Sequence, residues 1–246
     1  MGRLHTMSLA AALMLVFVDS AAAQNVNRTL SEASGVLTAL EAIPARCIPP
    51  ALLAEAQGVA IIPRVWKGGF VIGGKAGQGV VMSKNADGSW EGPTFVHIGG
   101  ASLGFQAGVQ STDLVLVFKT RKSLERVLEG KGKVTLGADA SIAAGPIGRE
   151  AMAGTDARLQ AEVYSYSRSR GLFAGVSFDG AVIVNDFEMN RVYRTAPPDV
   201  VGLSERLKEQ IMVASGQRTA VPPGVRVLPA PTTPAAPIYI PPPQRQ

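Results

Sequence analysis

Two short motifs in the sequence match patterns that carry chemistry in other proteins. The first, GASLG at residues 100–104, matches the nucleophile elbow G-x-S-x-G. In that elbow a serine on a strand-to-helix turn works with an acid and a histidine that follow it in the chain. Here a strand-like run follows Ser102 and no later histidine exists, while His97 lies on an apolar strand and is predicted to be structural. A serine hydrolase is therefore disfavoured.

The second motif, GFVIGGKA at residues 69–76, comes close to the phosphate-binding loop G-x-x-x-x-G-K-[ST]. Ala76 stands where the loop needs a hydroxyl for Mg²⁺, and the residues before it are typical of a strand. One cysteine and two histidines cannot build a typical zinc site, and Cys47 is predicted to be a small buried residue. The sequence thus predicts no catalytic residue, metal or cofactor, and favours a binding protein over an enzyme.

Basic residues form two stretches that could meet an anionic surface. No acidic residue lies between Glu55 and Asp87, an interval that contains Arg64, Trp66, Lys67 and Lys75. A tryptophan between two cations is typical of an interfacial membrane anchor, whose ring lies at the level of the headgroups. The second stretch contributes Arg121, Lys122 and Arg126.

We therefore predict that anionic lipid is bound by these seven residues: Arg64, Trp66, Lys67, Lys75, Arg121, Lys122 and Arg126. The alternative is that both stretches are ordinary solvated turns and edges. Nucleic acid is a weaker interpretation because aromatic residues are not interleaved with the cations to stack on bases.

Composition and periodicity predict an α+β fold, with a mainly antiparallel twisted sheet or partial barrel and flanking helices. The 246 residues include 27 glycines and few aromatics, which favours many tight β connections. Short strands are predicted around residues 58–62, 69–73, 78–82, 94–98, 102–109, 113–118, 162–167, 172–178 and 181–184. The run at 113–118 is apolar enough to be buried on both faces. A short helix is predicted at Ser123–Glu129.

The two ends of the chain differ from the middle. Residues 1–23 have the charge, apolar run and alanine-rich cleavage site of a secretory signal, which predicts export to the periplasm or cell envelope. A helix with one apolar face follows at residues 25–43 and is predicted to pack on the domain. The alternative, a helix lying on a membrane surface, is less favoured because the polar face is not basic. Residues 196–216 are predicted to form a helix capped by Asp199. Residues 217–246 form a proline-rich tail that is predicted to be disordered and that could bind a protein partner.

Several longer strings resemble the SYLF domain family, in its exported bacterial form. They are GGK at 73–75, IGGASLGFQ at 98–106, LGADAS at 136–141, AAGPIGR at 143–149, AGTDA at 153–157, YSYSRSRGLFAGVS at 164–177 and DGA at 179–181. The resemblance covers roughly residues 30–194 and places a SYLF-like domain at 24–195.

The resemblance implies a non-enzymatic lipid-binding domain. Eukaryotic members bind phosphoinositides and, in fungi, actin, whereas exported bacterial members resemble envelope lipid binders. The expected function is therefore binding of an anionic phospholipid or membrane surface. The alternative is a structural or adaptor protein of the envelope, which holds a protein or cell-wall partner through its basic face and proline-rich tail.

Overall fold

The structure is a computed structural model that describes residues 2–42, 47–129, 133–145, 161–170, 178 and 180–217. Five helices and six strands lie in these ranges. The helices are α1 (Gly2–Glu41), α2 (Pro50–Glu55), α3 (Arg121–Leu128), α4 (Phe187–Tyr193) and α5 (Pro198–Ala214). The strands are β1 (Gly58–Lys84), β2 (Trp90–Phe118), β3 (Val134–Thr135), β4 (Ile142–Ala144), β5 (Val163–Arg170) and β6 (Val182–Asn185).

All six strands form one curled sheet, in which β2 is the central element. The order is β3-β6-β2-β5-β4, and β1 pairs with β2 along almost its whole length. Only β4 and β5 run parallel, while the other pairs are antiparallel. The predicted α+β fold with an antiparallel, partly closed sheet is confirmed.

The curl brings the two ends of β1 together. The Lys84 N–H donates to the Gln57 carbonyl over 2.8 Å, so the strand returns to its own start. A Cβ on Gly79 would lie 2.3 Å from the Ile61 carbonyl oxygen, which leaves room only for a glycine. A bulge between Ile62 and Val65 supplies the bend that this path needs.

The predicted short strands at 58–62, 69–73 and 78–82 are wrong as separate elements, because β1 is continuous through them. Pro63, which follows the predicted strand at 58–62, lies in the bulge, where no ladder hydrogen bond is required. The glycine-rich segment at 74–77, between two of the predicted strands, stays paired with residues 98–101 of β2. A turn at residues 85–88 joins β1 to β2.

The helices cover the sheet with the faces that periodicity predicted. The face of α1 is buried at Val26, Leu30, Ala33, Leu37 and Leu40, and it packs on β1, α4 and α5. This segment is therefore part of the core, as expected. Among the helices of the described ranges, none is both long and apolar enough to cross a membrane.

Helices α3 and α5 are present close to the predicted ranges, but neither begins where it was predicted to begin. Helix α3 begins two residues before the predicted Ser123. Helix α5 buries Val200, Leu207 and Ile211, but Pro197 occupies the N-cap and Asp199 lies in the first turn. The predicted Asp199 cap is wrong because proline, with its fixed φ, starts this helix instead.

The core lies on both faces of the sheet. Residues 114–118 are completely buried, so the predicted two-sided burial of this run is confirmed. One face packs under α1, α2 and α5, and the other packs under α3. Cys47 is half-buried rather than fully buried. Most of the strand predicted at 172–178 and the whole tail from residue 218 lie outside the described residues.

Candidate functional site

The bulge in β1 places Arg64 at the junction between the sheet and α1. Arg64 adopts a φ of 48°, in the left-handed region, and its backbone N–H donates to Asp113 Oδ1 over 3.2 Å. Its guanidinium pairs with the Glu32 carboxylate on α1. Asp113 is buried, and its Oδ2 lies 3.8 Å from Arg168 Nε. The charge of Arg64 is therefore already offset within the protein.

Trp66 lies two residues beyond this bulge with its side chain in solvent. Trp66 is 54% exposed, and Val109 of the paired strand is 70% exposed. The register pairs Trp66 with Ser111 and Gly68 with Val109, so Trp66 and Val109 lie on the same face of the β1–β2 ribbon. Lys67 pairs with the buried Gln110 and belongs to the opposite face. The ribbon thus presents two large apolar side chains to solvent at one place.

A cleft of about 170 Å³ adjoins Trp66 and reaches α1. Arg28, Glu32, Arg64 and Gln78 also line it. Arg28 was not among the predicted residues, because it lies on the polar face of a helix far away in sequence. Its guanidinium donates to Asn25 Oδ1 over 3.0 Å, one turn earlier in α1.

Lys75 is placed inside the protein, in contrast to the predicted lipid-facing position. It is 6% exposed, and its ammonium lies 5.8 Å from the centre of the Phe178 ring. A Cβ on Gly100, the residue paired with Lys75, would lie 3.4 Å from the lysine Cε, so the stem of Lys75 packs against backbone. The buried ammonium cannot reach a headgroup at the surface without moving.

The three predicted cations of α3 are exposed, but two of them have local partners. Arg121 Nε pairs with Glu125 Oε1 at 3.0 Å, and its Nη1 donates to the Lys84 carbonyl. Arg126 Nη1 donates to the Asp139 carbonyl at 2.7 Å. Lys122 is exposed and forms no ion pair within the part of the chain that the structure describes. The predicted residues therefore fall into two groups, one at the β1 bulge and one on α3, with Lys75 apart from both.

His97 has a clear structural partner. Its Nε2 lies 2.6 Å from Asp186 Oδ2, while Asp186 Oδ1 accepts the Met189 N–H and caps α4. Gln78 Nε2 reaches the same carboxylate at 3.4 Å. In the described ranges, no group of three His, Cys, Asp or Glu side chains is close enough to hold a metal ion. The side chain of Ser102 lies outside the described part.

Two buried tyrosines of β5 are suited to packing and not to proton transfer. Burial raises the pKa of Tyr166, and nearby Cys47 and Tyr164 raise it further. Burial also raises the pKa of Tyr164, although its hydroxyl oxygen accepts a hydrogen bond from the Ala161 N–H. Both phenols therefore stay neutral at physiological pH.

Comparison with known proteins identifies the domain. The family described as "Ysc84: Las17-binding protein actin regulator" matches residues 99–221, which is half of the chain. The chain belongs to the Ysc84 family. The predicted resemblance to the SYLF domain is thereby confirmed. The family match begins near the middle of β2 and runs through α3, α4 and α5.

Named relatives of the Ysc84 family come from fungi and animals. "LAS seventeen-binding protein 3" of Saccharomyces cerevisiae is 41% identical over 148 residues, which is 59% of this chain and 32% of the yeast protein. "SH3 domain-containing YSC84-like protein 1" of Homo sapiens is 37% identical over 150 residues, 61% of this chain and 43% of the human protein. The aligned segments thus span less than half of these relatives. No solved structure matches the chain.

Proposed function

We propose that this Ysc84-family domain binds an anionic lipid or membrane surface without chemical turnover. The observation that carries the proposal is the exposure of Trp66 and Val109 on one face of the β1–β2 ribbon. An indole at a membrane surface keeps its N–H hydrated while its ring leaves water. Val109 adds apolar area beside it.

Cations near this face would supply the preference for anionic lipid. Lys67 follows Trp66 in the sequence but belongs to the opposite face of the ribbon, so it is not one of these cations. Arg28 and Arg64 line the cleft beside Trp66, although Glu32 offsets Arg64. Each cation close to an anionic surface contributes about 1 kcal/mol, and salt screens this attraction. We therefore expect the binding free energy to have an apolar part and an electrostatic part that decreases with salt.

We also propose that the chain is exported and that cleavage follows Ala23. The support is the order of charged, apolar and small residues in positions 1–23. Among positions 22–41 of α1, Val26 is the first buried residue. Cleavage before Gln24 would therefore leave the buried face of this helix intact. The domain would then act in the periplasm or the cell envelope.

The direct test is co-sedimentation of the full chain with vesicles. Phosphatidylglycerol mixed into phosphatidylcholine supplies the anionic surface, and phosphatidylcholine alone is the matched neutral surface. We expect tighter binding to the anionic vesicles, with the difference shrinking as salt is raised. Equal binding to both surfaces at low salt would contradict the proposal. Arg3 and the apolar run at residues 8–18 lie in the segment that is predicted to be cleaved, so a chain that begins at Gln24 is measured beside the full chain as the matched control.

A second candidate function is binding of a protein partner. It is favoured by the description of the matched family, a Las17-binding actin regulator, and by the name of the yeast relative. In this chain the proline-rich tail from residue 217 offers a ligand of the kind that aromatic-lined grooves bind. Deleting the tail separates the two candidates, since lipid binding by the domain should survive the deletion and an adaptor should lose its partner.

A further inference from the structure

The short helix α4 and its C-cap residue, Arg194, present an exposed aromatic residue and two exposed arginines on one side. Phe187, Arg191 and Arg194 are spaced by four and three residues, which aligns them along the same side of a helix. Phe187 is 67% exposed, more than any other described aromatic side chain. Within the described residues, neither guanidinium forms an ion pair or a side-chain hydrogen bond. This face therefore differs from the β1 bulge, where Glu32 offsets Arg64.

The remaining residues of α4 fix the helix to the domain. Asp186 caps the helix, and Met189 is buried in the core. The Asn190 side chain pairs with the backbone of Phe95 in both directions, accepting from its N–H at 2.8 Å and donating to its carbonyl at 3.0 Å. The Tyr193 ring packs on Phe95 with centroids 5.6 Å apart. Binding at the outer face would therefore require little ordering of the helix.

A groove of about 490 Å³ runs along this face. Its lining includes Phe187, Arg191 and Arg194, together with Pro93, Leu128 and Glu129 from outside the helix. The charged groups in this lining are the guanidinium groups of Arg191 and Arg194 and the carboxylate of Glu129, so the groove has a net positive charge. The paired N–H groups of a guanidinium match the spacing of phosphate oxygens. The exposed ring of Phe187 adds apolar area beside the two arginines.

We propose that this face of α4 binds the phosphate-bearing headgroups of an anionic membrane, with Phe187 entering the interface. Arg191 and Arg194 donate to headgroup phosphates, while the ring of Phe187 leaves water among the upper acyl carbons. The inference rests on the proposed membrane binding and adds a site that the basic stretches of the sequence did not indicate. It gives the domain a second membrane contact besides Trp66.

The test uses the full chain and vesicles of phosphatidylglycerol and phosphatidylcholine. Arg191→Gln and Arg194→Gln should each weaken binding about fivefold, and about thirtyfold together. The matched control is Arg206→Gln, which removes an exposed arginine from α5 and should leave binding unchanged. The double variant Arg191→Lys/Arg194→Lys keeps the charge and should restore most of the binding. Thermal melting of all variants should match the parent, because each replaced side chain is exposed.

Two further variants test the chemistry of the groove. Phe187→Ala should weaken binding to anionic and neutral vesicles by a similar factor, because it removes apolar contact and no charge. Glu129→Gln should tighten binding to anionic vesicles severalfold, since it removes the carboxylate that opposes the two arginines. Weaker binding after Glu129→Gln would overturn the assignment of an anionic ligand.

The outcomes separate this inference from the function on which it rests. If the parent chain binds anionic vesicles and Trp66→Ala weakens that binding, but the double glutamine variant binds like the parent, the α4 site is wrong and the proposed function stands. If the parent shows no preference for anionic vesicles, the proposed function fails and the α4 site fails with it.

Discussion

Replacing Trp66 and Trp90 by alanine, one at a time, separates a surface role from a structural role for the two tryptophans. Trp66 is 54% exposed, whereas Trp90 is 5% exposed and lies in the core. Trp90 Nε1 also donates to Gln217 Oε1 at 3.2 Å, and the Lys84 ammonium lies 5.7 Å from its ring centre. The same substitution should therefore have opposite effects on membrane binding and on stability at the two positions.

The size of each effect follows from these exposures. A tryptophan side chain offers about 200 Å² of surface, so Trp66 has roughly 110 Å² left to bury in a membrane. At about 25 cal/mol per Å², complete burial would contribute about 2.7 kcal/mol, and a half-immersed ring about 1.4 kcal/mol. Trp66→Ala should then weaken vesicle binding about tenfold, with little dependence on salt. Its cost to folding should stay below about 2.3 kcal/mol, an upper bound from the buried remainder.

Trp90→Ala should instead destabilise the fold by about 3–5 kcal/mol, because it empties a large buried volume. For a domain of this size that lowers the melting temperature by roughly 6–20 °C. Thermal melts and vesicle co-sedimentation at low and high salt should be measured on the same two variants. Vesicle binding of the folded fraction of Trp90→Ala should match the parent.

The reasoning would be refuted by the reverse pattern. If Trp66→Ala lowers the melting temperature as much as Trp90→Ala does, Trp66 contributes to the core and the exposed face is misassigned. If Trp66→Ala melts normally and also binds vesicles like the parent, the β1–β2 ribbon takes no part in membrane binding.

Three other predictions address closure of the sheet, acid stability and export. Gly79→Ala should destabilise the domain by about 3 kcal/mol in urea unfolding, because its Cβ would meet strand backbone at 2.3 Å. The matched Gly74→Ala, whose Cβ has no neighbour closer than 3.9 Å, should change stability by less than about 1 kcal/mol, and equal effects would contradict the closure. The Thr135 N–H donates to Asp139 and lowers the pKa of this carboxyl, so its contribution to stability is complete above the ordinary value near 3.9 and is lost as pH falls through the lowered pKa. Titration by NMR should place the midpoint of Asp139 below that ordinary value, and a midpoint at or above it would contradict the hydrogen bond. Mass spectrometry of the native protein should find a chain that begins at or near Gln24, and a retained initiator methionine would rule out cleavage.

The sequence was sufficient to predict which faces of the main elements are buried. The spacing of Val26, Leu30, Leu37 and Leu40 predicted the packed side of α1, and the run at 113–118 predicted a strand buried on both sides. A 3.6-residue repeat puts the apolar side chains of a helix on one side, whereas an unbroken apolar run puts apolar side chains on both faces of a strand. Each pattern therefore indicates which sides of the element contact the core. The strings that resemble the SYLF domain also identified the family correctly.

Helix α4 was not predicted, although its capping residue was visible in the sequence. Asp186 is a good N-cap, but a seven-residue helix is too short for its periodicity to stand out beside an adjacent strand. The same shortness hid the alignment of Phe187, Arg191 and Arg194. The continuity of β1 was missed for a different reason, because Pro63 is tolerated only through a bulge that the curled sheet requires.

Only the tertiary structure decided which basic residues have partners. Arg64 and Lys75 belong to one basic stretch in the sequence, yet Arg64 pairs with Glu32 and Lys75 is buried over Phe178. Glu32 lies 32 residues before Arg64 in the chain. Phe178 lies between β5 and β6, far beyond Lys75 in the sequence. The sequence shows only which charges are close along the chain. The electrostatic energy of a cation depends instead on the carboxylates, aromatic rings and solvent that lie close to it in the folded protein.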